Sequence, residues 1–210
     1  YHTREKKRLK GMLWKPKGKG PFPLVAFDVG LQSRIWEIPL AAKIIARCGY
    51  AVIGTEYSRI EIAKGELRDI INAIDYAHKN FEFVSHKTVL VGISMGAAAM
   101  LNIAAQVGEK YNVTAVVAIS PYSDLIRAYY YAYGYRKSTD RTNPRARLLK
   151  LYQKYAYATP FEEPKEFLIR SPLNFVHKIN CPVIFIHGRK DEIVTVDHSL
   201  ELYYKMLFLK

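Results

Sequence analysis

The stretch that most constrains this chain is Gly92-Ile93-Ser94-Met95-Gly96. An apolar run at residues 89–91 precedes it, and a run of small residues at 97–101 follows it. A strand, a sharp turn and a helix with serine at the apex require small neighbours, because side chains there would block the strained turn. The pattern is typical of a nucleophile elbow, which presents the serine hydroxyl at a helix N-terminus. The alternative, an ordinary glycine turn, does not explain the two flanking elements.

Apolar and amphipathic segments alternate along the rest of the chain. Short apolar runs predict strands at 9–14, 24–27, 50–54, 88–93, 113–119 and 182–187. Helical spacing predicts helices at 36–48, 64–80, 95–107 and 196–208. In the first of these, the apolar positions are Leu40, Ile44, Ile45 and Cys48. Strands that are apolar on both faces predict an α/β fold, with a mostly parallel, doubly wound sheet and helices on both faces.

Residues 122–170 interrupt this alternation of strands and helices. They hold nine of the sixteen tyrosines and leave from the carboxyl end of a predicted strand. Ligands bind at that end of the sheet in open α/β folds, so we expect a small helical cap over the site. Tyrosines give such a cap aromatic walls with polar tips, although they are also common in oligomer contacts. We therefore predict a single domain over 1–210 with a cap insertion at about 122–170, and a homo-oligomer through the cap as an alternative role.

The net charge of +13 is concentrated in two clusters. Residues 1–20 carry eight Lys or Arg and one Glu, and residues 127–154 carry eight Lys or Arg and one Asp, so each contributes +7 and the remainder −1. These clusters could attract anionic partners, or they could be a solubilising surface. Because no nucleic-acid-binding motif is present, we expect no nucleic-acid partner.

Other motifs restrict the functional class further. Cys48 and Cys181 lie far apart in apolar surroundings, which favours buried free thiols in a reducing, cytoplasmic compartment. No apolar run reaches the roughly 20 residues of a transmembrane helix. The sequence holds no H-E-x-x-H motif, paired cysteines or phosphate-binding glycine loop, so we predict neither a metal nor a cofactor.

Taken together, these motifs resemble the α/β-hydrolase superfamily, and within it the esterases similar to prolyl oligopeptidase and dienelactone hydrolase. The similar segments extend over nearly the whole chain: residues 20–23, the elbow at 92–96, Ser120-Pro121, Ser171-Pro172 and residues 181–191. The resemblance implies a serine hydrolase that forms an acyl-enzyme intermediate. It assigns Ser94 as the nucleophile and Asp191 as the carboxylate that orients a histidine. It also implies an oxyanion hole formed by the backbone N–H groups of Met95 and Leu31.

Two features depart from the family pattern. Val29, preceded by Asp28, stands where the family usually has a histidine, and an ionised Asp28 would oppose an oxyanion unless it points away or is paired. The chain also stops at Lys210, nineteen residues after Asp191. In the family, the catalytic histidine comes after one more strand and is followed by a helix, and the sequence ends before both elements. We expect that histidine beyond residue 210. His198 and His187 are the alternatives within the chain, and Asp124 is a second candidate acid.

The leading function is therefore hydrolysis of small carboxylic esters, provided that a histidine is supplied beyond residue 210. A serine peptidase of the same fold is an alternative within the class. The alternative from another class is a non-catalytic binding protein on a hydrolase scaffold. Labelling of Ser94 by a fluorophosphonate distinguishes an enzyme from a binding protein.

Overall fold

The computed structural model describes residues 9–30, 39–57, 65–137, 140, 143, 145–146, 149–150 and 159–209. Six strands form one sheet: β1 (Gly11–Trp14), β2 (Phe22–Asp28), β3 (Ala51–Thr55), β4 (Val84–Ile93), β5 (Val113–Ile119) and β6 (Val183–Ile186). Their spatial order is β1-β3-β2-β4-β5-β6. β1 is antiparallel to β3, and the other neighbouring pairs are parallel.

The described helices cover both faces of this sheet. They are α1 (Pro39–Arg47), α2 (Gly65–Asn80), α3 (Met95–Val107), α4 (Leu125–Tyr133), α5 (Pro164–Leu168) and α6 (Asp197–Phe208). Two single turns of 3-10 helix, Pro172–Asn174 and Val176–Lys178, precede β6. Buried residues of α2, α3 and α6 form the larger core on one face. Ala42 and Ala46 of α1 pack against Val25, Phe27 and Val52 on the other. The predicted α/β fold is confirmed.

The apolar residues that predict the first helix do not all lie on its buried side. Leu40 is 74% exposed and Ile44 is 52% exposed, whereas Ala42 and Ala46 are buried. These alanines lie four residues apart on one helical stripe, and their small side chains let the backbone of α1 approach the sheet closely. Of the larger residues, Ile45 is partly buried and packs against the same cluster. The helical spacing therefore identified the helix but did not define its buried side.

The prediction that both cysteines are buried is wrong for one of them. Cys181 is buried, but Cys48 is exposed. Cys48 follows the last residue of α1 and continues the exposed stripe that contains Ile44, four residues earlier. Its place on this stripe therefore explains why Cys48 is exposed.

Four parallel strands end at one edge of the sheet, where the candidate residues lie. β2 ends at Asp28, β4 at Ile93, β5 at Ile119 and β6 at Ile186. The segments that follow these strands hold Gly30, Ser94, Ser120 and Asp191. This is the edge at which open α/β sheets bind ligands. The division into one domain with a cap at 122–170 stays a prediction, and α4 and α5 lie within those limits.

Candidate active site

Ser94 lies at the apex of a sharp turn between β4 and α3. Its φ of 56° and ψ of −123° are values that a residue with a side chain rarely adopts. The Ser94 N–H donates to the carbonyl of Ile119 on β5 at 2.8 Å, and the Ser94 carbonyl accepts from the Ala97 N–H at 3.0 Å. Ser94 is only partly buried, in contrast to the next residues of α3. The backbone therefore has the geometry of a nucleophile elbow, with the serine held from both sides.

The two glycines of the motif are required by close contacts. A Cβ atom on Gly92 would lie 2.5 Å from the carbonyl carbon of Gly96. A Cβ atom on Gly96 would lie 2.6 Å from Oδ2 of Asp28 and 2.7 Å from its backbone oxygen. Real Cβ atoms do not approach other atoms so closely, so any larger residue would displace the start of α3 or the end of β2. Crowding is the physical reason for the G-x-S-x-G pattern here.

Met95, one of the two predicted oxyanion donors, lies where the turn after β2 meets the start of α3. Met95 is the first residue of α3, so its N–H precedes the hydrogen bonds of the helix. Gly30 has a φ of 82°, and a Cβ atom on it would lie 3.1 Å from the Met95 nitrogen. The turn after β2 therefore contacts the elbow directly. Leu31, the other predicted donor, lies outside the described residues.

Asp28 is buried directly beneath the elbow. Its Oδ1 accepts a short hydrogen bond from the Tyr57 hydroxyl and a second, at 3.3 Å, from the Gly30 N–H. Burial raises the pKa of the Asp28 carboxyl to about 6, and these donors oppose that shift. Its Oδ2 has no hydrogen-bond partner among the described residues. The carboxyl is therefore both paired and desolvated, a combination that the position of Asp28 in the sequence does not disclose.

Asp191 organises the loop that follows β6. Its Oδ1 accepts from the N–H groups of Ile193 and Val194, at 2.9 and 3.0 Å. Its own N–H donates to the Gly188 carbonyl at 3.1 Å. One carboxylate oxygen therefore fixes the loop, and Oδ2 lies 3.5 Å from Nε2 of His187. Val194 packs in the same buried cluster as Met95, which brings the acid loop and the elbow to one side of the sheet edge.

His187 has both ring nitrogens engaged within the chain. Its Nε2 lies 2.8 Å from the Val194 carbonyl, and its Nδ1 lies 2.7 Å from the Ser199 hydroxyl. A carbonyl can only accept, so Nε2 carries a proton and Nδ1 accepts from the serine. Both ring nitrogens of His187, one residue after β6, are therefore occupied by hydrogen bonds.

His198 is buried in a polar junction between α4 and α6. Its Nδ1 accepts from the Ser123 N–H at 3.1 Å and from Nη2 of Arg127 at 2.7 Å. Arg127 also forms an ion pair with Glu201 at 2.9 Å, and the Ser123 hydroxyl donates to the same carboxylate at 2.5 Å. Burial and the adjacent Arg127 charge lower the pKa of His198 to about 4. A neutral imidazole whose Nδ1 is already an acceptor joins the base of the cap to the last helix.

Asp124, the second candidate acid, caps a helix. Its Oδ1 accepts from the N–H groups of Ile126 and Arg127, at 2.7 and 3.2 Å, at the start of α4. This is the usual role of an N-cap aspartate, which satisfies donors that have no partner in the first helical turn. Asp191 and Asp124 are therefore both held by backbone N–H groups, but only Asp191 lies in the loop after β6.

The described part of the predicted cap packs on the elbow. Tyr129, Leu125 and Ala132 of α4 and Phe167 of α5 share a buried cluster with Met95 of α3. Tyr130 and Tyr133 remain exposed, and the guanidinium of Arg136 lies 4.5 Å from the centre of the Tyr133 ring. The tyrosines thus divide into an inner layer against α3 and an outer, solvent-facing layer. A role of the outer layer in oligomers stays a prediction.

Arg145 joins this cap to the acid loop. Its Nε donates to the Glu192 carbonyl at 2.6 Å, and its Nη2 lies 3.5 Å from the Glu192 carboxylate. The same guanidinium donates to the Tyr135 hydroxyl at 2.7 Å and lies over the Tyr131 ring. The residue next to Asp191 is therefore bound to the cap by hydrogen bonds, an ion pair and ring contacts.

Sequence reasoning missed two polar groups that the fold brings to this region. One is Tyr57, which follows β3 and reaches Asp28 at the end of the neighbouring strand β2. The other is the junction of Ser123, Arg127, His198 and Glu201. Polar residues after adjacent parallel strands were a usable signal for Tyr57. In the junction, Ser123 and His198 are 75 positions apart, and no motif or spacing in the sequence links them.

The sequence profile of the BD-FAE family matches residues 37–206, which is most of the chain. The chain belongs to the BD-FAE family. This match confirms the resemblance to the α/β-hydrolase superfamily. The elbow geometry described above is consistent with it. Among the described residues, no group of His, Cys, Asp or Glu could hold a metal ion. In the same residues, no helix is both long enough and apolar enough to cross a bilayer.

Two curated relatives align with this BD-FAE chain. The mitochondrial palmitoyl-protein thioesterase ABHD10 of Mus musculus is 26% identical over 207 residues, which cover 88% of this chain and 64% of that protein. The uncharacterized peptidase YtmA of Bacillus subtilis is 37% identical over 59 residues, which cover 28% of this chain and 23% of that protein. The chain thus covers less than two thirds of the length of either relative.

Solved structures with low sequence identity share the fold. The Pyrococcus furiosus esterase Pf2001 superposes with a TM-score of 0.75 at 19% identity, over 99% of this chain and 76% of that chain. The Pyrococcus horikoshii acylaminoacyl peptidase superposes with a TM-score of 0.75 at 18% identity, over 96% of this chain and 33% of that chain. The architecture of the BD-FAE chain is thus found in esterases and peptidases alike.

Proposed function

We propose that the chain carries the nucleophile and acid of a serine hydrolase that cleaves carboxylic esters. The observation that carries this proposal is the conformation of Ser94, which is strained, partly exposed and at the N-terminus of α3. Strain of this kind persists only where the surroundings enforce it, and it clusters at active sites. The crowded contacts of Gly92 and Gly96 enforce it here.

In the proposed reaction, Oγ of Ser94 attacks the ester carbonyl carbon while a histidine accepts the hydroxyl proton. The tetrahedral oxyanion is stabilised by the N–H groups of Met95 and Leu31. The C–O bond to the alcohol then breaks, and the histidine returns the proton to the leaving alcohol. Water attacks the acyl-enzyme in the same way, releasing the carboxylic acid and restoring Ser94.

Asp191 orients that histidine in the proposal through its Oδ2, since Oδ1 is used by the loop. Neither alternative weighed above suits that role, because His187 has both nitrogens engaged and His198 accepts Ser123 and Arg127 at Nδ1. A lowered pKa also makes His198 a weak base. These local contacts support the expectation drawn from the family pattern.

The test is labelling of the complete protein with a fluorophosphonate, compared between two matched serine variants. Ser120 also has a left-handed φ, of 48°, at the end of the neighbouring strand β5. Because only Ser94 begins a helix, Ser94→Ala should abolish labelling, whereas Ser120→Ala should retain it. Labelling that survives Ser94→Ala would contradict the assignment. Well-folded wild-type protein that does not label would favour a binding protein.

The substrate class is tested with p-nitrophenyl acetate, an acyl thioester and an aminoacyl-anilide as probes. We expect the ester to give the highest kcat/KM. The related thioesterase and the peptidases of the same fold make the other two probes the relevant competitors. A higher kcat/KM for the anilide would replace the esterase proposal with a peptidase.

A further inference from the structure

Asp28 occupies the space that links three segments at the sheet edge. It is the last residue of β2 and pairs in register with Gly92 at the end of β4. Its side-chain and backbone oxygens lie against the Cα of Gly96, in the first turn of α3. Its carboxyl also reaches Tyr57, which follows β3 on the other side of β2. A single buried carboxyl thus contacts the elbow and the segments after two strands.

The hydrogen bond from Gly30 determines which way the turn after β2 faces. The Gly30 N–H donates back to Asp28 Oδ1, so it is directed away from the position of a substrate carbonyl on Ser94. The left-handed φ of Gly30 and its contact with the Met95 nitrogen place this turn directly beside the first N–H of α3.

The Tyr57 hydroxyl acts on this turn through Asp28. Its hydrogen bond fixes the rotation of the carboxyl and partly neutralises the negative charge that would otherwise face the elbow. With the hydroxyl removed, the carboxyl would lose its side-chain donor and keep the backbone donors of Gly30 and Val29. Its rotation would then be less restricted, and it would hold the Gly30 turn less firmly.

We propose that Asp28 and Tyr57 are a positioning pair that holds the Gly30 turn after β2 against the start of α3, so that the Met95 N–H keeps its direction toward the carbonyl bound at Ser94. The pair acts through the backbone and does not touch the substrate. This inference rests on the proposed serine-hydrolase function. In this proposal, the Asp28-Val29 pair, which stands where the family usually has a histidine, has a positioning function of its own.

Tyr57→Phe in the complete protein is the direct test, because it removes one hydroxyl and preserves the ring. The matched control is Tyr111→Phe. The Tyr111 hydroxyl also donates to an aspartate, Asp75, at 2.8 Å, but just before β5 begins, at the opposite edge of the sheet. Steady-state kinetics with p-nitrophenyl acetate then compare a tyrosine–aspartate bond beside the elbow with one remote from it.

We expect Tyr57→Phe to lower kcat about tenfold with KM changed less than about twofold, because misplaced donors weaken binding of the transition state only. Tyr111→Phe should leave both constants within about twofold of wild type. Asp28→Asn retains an acceptor for Tyr57 and Gly30, so it should keep more activity than Asp28→Ala. An unchanged kcat in Tyr57→Phe, or equal losses in the two tyrosine variants, would overturn the pair.

The same samples separate this inference from the function on which it rests. The rate of fluorophosphonate labelling at Ser94 is measured for each variant, because the phosphonyl oxygen needs the same donors. If wild-type protein is labelled at Ser94 and hydrolyses the ester, and Tyr57→Phe has the same labelling rate and kcat, the positioning pair alone is disproved. Wild-type protein that neither labels nor hydrolyses the ester disproves both proposals.

Discussion

At Asp28 and His198, burial moves the pKa of two side chains in opposite directions. The pKa of the Asp28 carboxyl is raised from 3.8 to about 6. The pKa of the His198 imidazole is lowered from 6.5 to about 4. Each shift favours the neutral form, because a desolvated charge is unfavourable in both cases. The groups that face them differ. The side-chain donor to Asp28 is Tyr57, whereas His198 is close to Arg127, Asp124, His187 and Asp197.

The opposite shifts predict opposite pH dependences of stability. Between about pH 4 and 6 the folded chain keeps a proton on Asp28 that the unfolded chain releases, so rising pH lowers the free energy of unfolding by about 3 kcal/mol. Between about pH 4 and 6.5 the unfolded chain holds a proton on His198 that the folded chain lacks, so rising pH increases that free energy by about 3 kcal/mol.

Urea unfolding at pH 4 and pH 7 separates these contributions. We expect the stability of wild type minus that of Asp28→Asn to fall by about 3 kcal/mol over this interval. The corresponding difference from His198→Gln should rise by a similar amount. Each variant serves as the control for the other, since all remaining titrations are shared. Differences that do not change with pH would contradict the assigned shifts.

At the scale of elements, how well the sequence predicted each helix depended on the kind of contact that it makes. The α3 boundaries at 95–107 agree with the structure because the strand, the glycines and the small residues all indicate the same local geometry. The inner face of α1 could not be read from large apolar residues, because alanines make its contact with the sheet. The direction of Asp28 was equally inaccessible, since it depends on Tyr57, twenty-nine positions later.

The buried and exposed sides of α1 predict different effects of substitution at Leu40 and Ala42. Ala42→Leu should lower the free energy of unfolding by about 1–3 kcal/mol, because the added atoms enter a packed helix–sheet contact. Leu40→Ala should change it by less than about 0.5 kcal/mol, because Leu40 is mostly exposed. Chemical denaturation of both variants measures the effect. A larger loss for Leu40→Ala than for Ala42→Leu would contradict this assignment of the buried side.

At the scale of the whole molecule, the four strand ends bring together residues that are distant in the chain. Asp28, Ser94 and Asp191 were each recognisable from their local motifs, and the parallel sheet explains why they share one edge. Their mutual arrangement requires the register of β2, β4, β5 and β6, which single-sequence periodicity does not contain. The charge clusters at residues 1–20 and 127–154 include many residues outside the described ranges, so their role stays a hypothesis.

Thiol reactivity offers a test of the global packing. Native protein should react at one cysteine with a thiol reagent such as DTNB, and unfolded protein at two, because Cys48 is exposed and Cys181 is buried. Cys48→Ser should remove the rapid reaction and leave the slow one, and Cys181→Ser should do the reverse. Rapid reaction of both thiols in the folded state would show that the core around Cys181 opens readily.

Met95 couples the elbow to α4 and α5, the helices within the predicted cap. Its backbone N–H begins α3 beside Ser94, and its side chain is buried in the cluster that contains Tyr129 and Phe167. Substitutions in the inner layer that make room for a bulkier ligand would therefore also shift the backbone that positions Ser94. Tyr130 and Tyr133 face solvent and lie outside this buried cluster, so substitutions there should leave the position of Ser94 unchanged.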